Sequence, residues 1–392
     1  MITNSNNVNK YHGNIKKGKF EISKLVVNEN MINCNYAIQV IKSNEFHKFK
    51  TGYSGYFFES NTIPSDIFSY LEEYNISYLT SVTGTEFLMD DDIVQVDNLN
   101  GVIHILYKKN SVDNALILTN KCNNNCIFCP ETVASRSRKN QVGIEDIVKL
   151  IKLIPKECKH LTITGGEPTC LGIKLLEILK VCNLELPDTE FTILSNGRVF
   201  CISEFTQIFL TVAPKKVLIA IPIHSVDEKT HDFSTQVDGS FHQTINGINN
   251  IVEAGIRVEI RIVINKINYE ELESISSYII SNFPEIYRVC FIGMELLGNA
   301  AKNLSAIWID YESIGSHLVA AIKLMVKGGI QPKIYNIPQC KLETQIWQFC
   351  EKSITDSKII YDAKCELCKV KKLCGGMFFS TYNIRMDINP II

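Results

Sequence analysis

The chain reads as an α/β protein built on a parallel sheet, with a small α+β domain before it and a small cysteine-rich domain after it. Three observations carry that reading. From about residue 114, short apolar stretches alternate with longer amphipathic ones, six times within about 200 residues. The first 112 residues lack this alternation and are rich in Asn, Lys, Ser and Tyr. The residues beyond about Ile337 lack it too, and carry closely spaced cysteines.

In the N-terminal part (1–112), "DIVQVDNLNGVIHILYKK" reads as a hairpin turning at Asn100-Gly101. The repeating part (113–336) opens with the strand "ALILT", Ala115 to Thr119. "GIEDIVKLIKLI" follows as a helix, with Ile144, Ile147, Leu150 and Ile151 on one face. Next come strand "HLTIT", helix "GIKLLEILKVC", strand "EFTILS" and helix "SEFTQIFLTV". Strand "KVLIAIPI" leads to a helix over "FHQTINGINNIVEAG", ended by Gly255. Strand "RVEIRIVI", the helix around "YEELESISSYIISNF" and strand "RVCFIG" complete the six units. Alternation of this kind implies a parallel sheet with right-handed crossovers. An open barrel and a doubly wound sheet both satisfy it. The remainder (337–392) is expected to be a small domain stapled by metal.

A net charge of -2 over 392 residues offers no basic footprint for nucleic acid. The start, "MITNSNNVNKYHGN", lacks the pattern of a signal peptide, and no apolar run is long enough to cross a bilayer. A cytoplasmic protein is expected, without nucleic-acid or membrane partners. Fourteen cysteines then need a reason other than disulfides. Cys34, Cys158, Cys170, Cys182, Cys201 and Cys290 are scattered and read as small hydrophobes. The others gather as Cys122, Cys126 and Cys129, and as Cys340, Cys350, Cys365, Cys368 and Cys374.

The first group has the spacing C-x3-C-x2-C, directly after the first strand of the repeat. Iron–sulfur clusters are normally held by four thiolates. A local set of three suggests a cluster with one iron left for a non-protein ligand; a zinc site completed from elsewhere is the competing reading. After the second strand comes "TGGEPT", whose glycines permit close backbone approach, and after the third comes "SNG". All three motifs fall at C-terminal strand ends, where parallel α/β folds gather their sites.

On "CNNNCIFC", "GGEP", "SNG" and "HDF…GSFHQTINGINNIVEAGIRVEIRIVI", the sequence from about Ala115 to Val263 resembles the radical S-adenosylmethionine (radical SAM) enzymes. The resemblance implies a partial TIM-like barrel of six strand–helix units. It implies that Cys122, Cys126 and Cys129 hold a 4Fe–4S cluster whose open iron binds S-adenosylmethionine. Reductive cleavage would then give a 5′-deoxyadenosyl radical that removes a hydrogen atom from substrate. Phe128 matches the aromatic against the adenine. Gly165, Gly166, Glu167 and Pro168 match the strand edge at the amino group, and Ser195 and Asn196 match positions near the ribose and carboxylate. Arg261 is a candidate partner of the carboxylate. Peptide-modifying relatives often read "SLDG" after the fourth strand; "PIHSVDE" departs from this, and His224 is expected to be structural or exposed.

Cys340, Cys365, Cys368 and Cys374 form C-x24-C-x2-C-x5-C, a complete set for one closed centre. The set resembles the SPASM and twitch domains and implies one auxiliary 4Fe–4S cluster, with structural zinc as the alternative. Cys350 is the odd thiol: a replacement for Cys340, a hydrogen donor or a bystander. "LTITGGEPTCLGIKLLEIL", "GMELLGNAAKNLSAIWID" and "CELCKVKKLCGGMFFS" resemble the C-type radical SAM maturase of the His-Xaa-Ser peptide system. That resemblance implies a ribosomally made precursor peptide, a second radical SAM maturase, a small accessory protein, and a reductant such as flavodoxin or ferredoxin. By the same analogy the N-terminal domain helps to recognise the precursor, and Glu295 faces the substrate cavity or forms a salt bridge. The alternatives are a radical SAM maturase of another protein or small molecule, and a non-enzymatic iron–sulfur or zinc electron carrier or scaffold.

Overall fold

The computed structural model describes residues 12–17, 20–27, 36–131, 133–136, 143–352, 358–382, 384 and 387–392. Cys34 lies outside them. The chain forms two compact units. One is Met1–Ile117 with Val142–Thr162 and Lys180–Thr189; the other is Leu118–Gln141 with Ile163–Leu179 and Glu190–Ile392.

The first unit holds a seven-stranded mixed sheet. Its strands are β1 (Asn14–Lys17), β2 (Ser23–Val26), β3 (Ala37–Ile41), β4 (Gly55–Phe58), β5 (Ser77–Thr80), β6 (Ile93–Val96) and β7 (Ile103–Tyr107), in the order β1-β5-β4-β3-β2-β6-β7. Central strands such as "GYFF" are apolar at every position because both faces are covered. Phe57 packs with Leu25, Ile38 and Leu79, while Tyr56 and Phe58 pack with Ile67 and Leu71 of the helix Ser65–Glu73. β6 and β7 form the expected hairpin, turning at Gly101 with φ +72°. A Cβ there would stand 2.0 Å from the Gly13 carbonyl oxygen, so glycine is required.

The second sheet has eight strands in sequence order: β8 (Ala115–Ile117), β9 (His160–Thr164), β10 (Glu190–Leu194), β11 (Val217–Pro222), β12 (Arg257–Val263), β13 (Arg288–Ile292), β14 (Gln331–Tyr335) and β15 (Cys350–Glu351). Pairing from β10 to β15 is parallel throughout. A parallel sheet built in sequence order curls into a half-barrel, which decides between the two architectures that periodicity left open. The helices Ile144–Leu153, Ile173–Glu185, Ser203–Val212, Ser240–Glu253 and Leu272–Asn282 fall in the predicted segments.

β14 and β15 extend the sheet beyond the six expected strands. Pro332 gives no N–H to a ladder and sits second in β14, next to the start of the strand. β15 has only two residues, too few to show a period. Among the described residues, no helix is long and apolar enough to cross a membrane.

Candidate functional site: a cysteine loop held from four sides

All the residues assigned to the site by sequence belong to the second unit. The loop leaving β8 carries Cys122, Cys126 and Cys129. Burial, followed by the nearness of Cys129 and Cys122, pushes the Cys126 thiol up to about 12. Burial, with Glu167, Cys170 and Cys129 nearby, pushes Cys122 up to about 11. Three thiols whose ionisation burial opposes suit a centre that supplies positive charge among them. The Asn124 N–H already points at the Cys122 sulfur, at 3.4 Å.

Four later segments hold this loop, and each leaves a mark in the sequence. The first is "GGE". Gly166 donates its N–H to the Thr119 carbonyl and Glu167 to the Lys121 carbonyl, both at 2.7 Å. A Cβ on Gly165 would stand 2.2 Å from the Thr119 oxygen, and one on Gly166 2.3 Å from the Lys121 oxygen. The glycines therefore admit the backbone of the cysteine loop itself. Sequence reasoning expected the close approach of a ligand there.

"SNG" is the second. The buried Glu167 carboxylate accepts the Ser195 hydroxyl at 2.9 Å and the Asn196 N–H at 2.6 Å. It also accepts the Thr169 N–H at 3.0 Å and the Thr169 hydroxyl at 2.7 Å, which caps the short helix begun by Pro168. Burial raises the Glu167 carboxyl pKa against the pull of these four donors. Asn196 reaches the loop through its side chain, donating to Asn123 Oδ1 at 2.6 Å. Arg198, which sequence reasoning missed, grips the same place. Its Nη1 donates to the Asn123 carbonyl at 2.7 Å and to Asn124 Oδ1 at 2.6 Å, while Nε is fixed on Gln243 Oε1 at 2.7 Å. The signal was its position directly after "SNG".

The third segment is the end of "HDFST". Asn125 and Ile127 donate their N–H groups to the carbonyls of Thr235 and Ser234, each at 3.0 Å. The fourth is "GNAAKN", past β13. Asn299 donates its N–H to the Cys129 carbonyl at 2.9 Å and its amide to the Cys126 carbonyl at 3.0 Å. Asn303 donates to the Ile127 carbonyl at 2.8 Å. Phe128 is buried with Met294, Leu296, Ala300 and Ile307, and its ring meets His224 edge-on, with centroids 4.7 Å apart. His224, expected to be structural or exposed, is only 3% exposed.

Arg261 is not brought to the loop by any described hydrogen bond. Its Nε donates to Glu259 at 2.6 Å, and Arg288 Nε donates to the same wholly buried carboxylate at 2.5 Å. Burial alone would raise Glu259; the two guanidinium groups hold it below the usual carboxylate value. Glu295 forms a salt bridge with Lys358 at 3.0 Å.

Cys340, Cys365, Cys368 and Cys374 line one pocket with Tyr361 and Met377. Backbone N–H groups point at their sulfurs: Gln339 and Gly376 at Cys374, and Ile391 at Cys368, each at 3.4 Å. Cys350 is buried in β15, with its sulfur directed at the Ile346 carbonyl at 4.0 Å. Among the described residues, no group of three or more His, Cys, Asp or Glu side chains is arranged for a single metal ion.

Residues 116–279 match the model of the radical SAM superfamily. The sporulation killing factor maturation protein SkfB of Bacillus subtilis (strain 168) is 27% identical over 201 residues, 51% of this chain and 46% of its own. A probable GTP 3′,8-cyclase of Sulfurisphaera tokodaii is 29% identical over 173 residues, 43% of this chain and 52% of its own. The chain thus spans about half the length of the curated relatives it matches. Among solved structures, Streptococcus suis SuiB bound to its precursor peptide SuiA is similar at a TM-score of 0.48 and 16% identity, covering 59% of this chain and 50% of that one. The matched stretch carries this cysteine loop and both of its glycine turns, so this part of the chain is similar to the radical SAM superfamily.

Proposed function

We propose that the protein is a radical SAM peptide maturase that modifies a ribosomally made precursor, and that the precursor carries His-Xaa-Ser repeats. The observation that carries the reading is the cysteine loop fixed by four segments at one end of a parallel sheet. Cys122, Cys126 and Cys129 would hold a 4Fe–4S cluster. When bound, the cluster and S-adenosylmethionine supply a 5′-deoxyadenosyl radical that removes a hydrogen atom from a carbon that acids and bases cannot activate.

The protein's own part is to hold and to exclude. Glu167 and Arg198 fix the loop, and Phe128 with its apolar neighbours offers a dry wall beside the third cysteine, suited to an adenine face. The remaining side-chain capacity of Ser195 and Asn196, and the Arg261 guanidinium, are the candidate polar contacts to the cofactor's ribose and carboxylate. Cys340, Cys365, Cys368 and Cys374 would hold one auxiliary 4Fe–4S cluster. Support comes from their shared pocket and from the N–H groups aimed at sulfur, both favourable to an electron-rich centre. Residues 1–112 would help to recognise the precursor, 113–336 would form the catalytic core and 337–392 the auxiliary domain. A second maturase, a small accessory protein and a flavodoxin or ferredoxin would complete the system, and a crosslink is the expected product.

Co-expression with a candidate precursor, followed by mass spectrometry of the peptide, tests this reading. The expected result is a mass change that depends on Cys122. An unchanged peptide, in a preparation that still converts S-adenosylmethionine to 5′-deoxyadenosine, would point to another protein or a small molecule as substrate. Absence of 5′-deoxyadenosine from the fully loaded, reduced protein would favour a carrier or scaffold.

A further inference from the structure

Alternate residues of a strand face opposite sides of its sheet. On one side of β12 and β13 every residue is apolar: Val258, Ile260, Ile262, Val289 and Phe291 are at most 1% exposed. The other side carries Glu259 and Arg261, then Arg288 and Cys290. Parallel pairing sets Glu259 beside Arg288, and Arg261 beside Cys290. Val263 is next along this second side, and it packs with the apolar group that includes Phe128 and Cys126. Two residues of a strand rise about 7 Å. Arg261 thus stands one side-chain step from the residues packed around the cysteine loop, on the same side of the sheet.

The charges on this side do not cancel. Glu259 is wholly buried and accepts both arginines through Nε, Arg261 at 2.6 Å and Arg288 at 2.5 Å. No described hydrogen bond engages the Nη groups of either, and the two side chains keep 21% and 22% of their surface exposed. On β14, beside Cys290, Lys333 is neutralised by Glu351 of β15. Burial raises the Cys290 thiol, so it adds no negative charge. One carboxylate against two guanidinium groups leaves one positive charge, in surroundings that screen it less than open solvent would. The Arg288 guanidinium is further steadied by the Tyr287 ring, 5.3 Å away. A fixed guanidinium with open Nη groups is complementary to a carboxylate.

We propose that Arg261 and Arg288, held in place by Glu259, form a binding site for a carboxylate of the substrate, such as an acidic side chain near the reacting carbon. This rests on the radical SAM reading above and adds to it a chemical feature of the substrate. The carboxylate of S-adenosylmethionine, for which Arg261 is a candidate partner, has the same chemistry. Arg288 opens β13, about 13 Å of strand below the end beyond which Asn299 reaches the cysteine loop, and that offset favours a group on the substrate.

The test is calorimetric titration of the anaerobically reconstituted full-length protein with glutarate and with its neutral diamide, before and after saturation with S-adenosylmethionine. Iron content and thermal melting accompany it. Glutarate should bind, the diamide should not, and saturation with S-adenosylmethionine should leave glutarate binding unchanged. R288Q should weaken glutarate about tenfold while S-adenosylmethionine affinity and iron content hold. If R288Q melts early because Glu259 has lost a partner, the comparison passes to R288K, which keeps the charge, loses the planar fork and should bind glutarate severalfold more weakly. Undiminished glutarate binding in the folded variant, or equal binding of glutarate and diamide, would overturn the inference and leave the radical SAM reading standing. So would competition between glutarate and S-adenosylmethionine, which would assign the site to the cofactor. Failure of the wild-type protein to bind S-adenosylmethionine would remove both.

Discussion

Ser195 donates its hydroxyl to the Glu167 carboxylate at 2.9 Å, joining the two turns "GGEP" and "SNG" across 28 positions of sequence. Glu167 is wholly buried and accepts from three other donors as well. Its replacement by Gln would turn an amide group toward those donors. E167Q should lower stability by about 2–3 kcal/mol and S195A by about 1 kcal/mol. Denaturant unfolding checks both, and an E167Q protein as stable as wild type would refute the linking role.

Gly166 gives a sharper test of the loop. The added methyl of G166A would meet the Lys121 carbonyl oxygen at 2.3 Å, and backbone on backbone has little room to yield. Iron content after anaerobic reconstitution should fall by about half in G166A, the share of one of two equal clusters. Retention of the full complement would show that the loop can move aside.

Arg198 fixes the stretch between the first two cysteines through bonds to the Asn123 carbonyl and Asn124 Oδ1. An ammonium cannot reproduce a planar fork that also holds Gln243. R198K and R198L should both lose about 2 kcal/mol of stability and bleach faster in air, read from the visible absorbance of the cluster. Identical bleaching rates would assign the bonds no part in shielding it.

Metal analysis separates the two cysteine groups. The wild-type protein should hold about eight irons and a triple Cys122, Cys126 and Cys129 to Ala variant about four. C350A should match wild type, because Cys350 faces the Ile346 carbonyl, whereas C340A should lose the auxiliary iron. Zinc in the triple variant would replace the auxiliary cluster by a structural ion.

His231 predicts a pH dependence. Burial lowers its pKa from 6.5 to about 4. The unfolded chain therefore takes up a proton as pH falls below about 6.5, while the folded chain does so only near 4. The associated stability is complete above the unfolded value and is lost between these limits, about 3 kcal/mol in all. Unfolding curves from pH 7 to 4 should show the slope, and H231F should flatten it.

Much of this was legible in sequence because periodicity and spacing are local. Six strands, their helices and the convergence of Cys122, Cys126 and Cys129 with "GGEP" and "SNG" follow from short-range patterns. β14 and β15 did not, since Pro332 masks one and two residues cannot show a period. Nor did the work of Arg198, Asn299 and Asn303, whose partners lie 74 to 176 positions away and leave no spacing to read. Arg261 shows the converse: its charge suggested an outside ligand, but a buried Glu259 two residues earlier, invisible as such in sequence, engages its Nε.

The distribution of anchors along the chain sets an order of events during synthesis. Asn303 closes on the Ile127 carbonyl across 176 residues, so the cysteine loop emerges long before its last support exists. At about 5–20 residues per second, that interval is about 10–35 seconds, during which three thiols await their neighbours and, on the proposed function, their iron. Oxygen and stray copper or zinc have that window to reach them. On the proposed function, cluster delivery must therefore either follow completion of the core or chaperone the nascent loop across the gap.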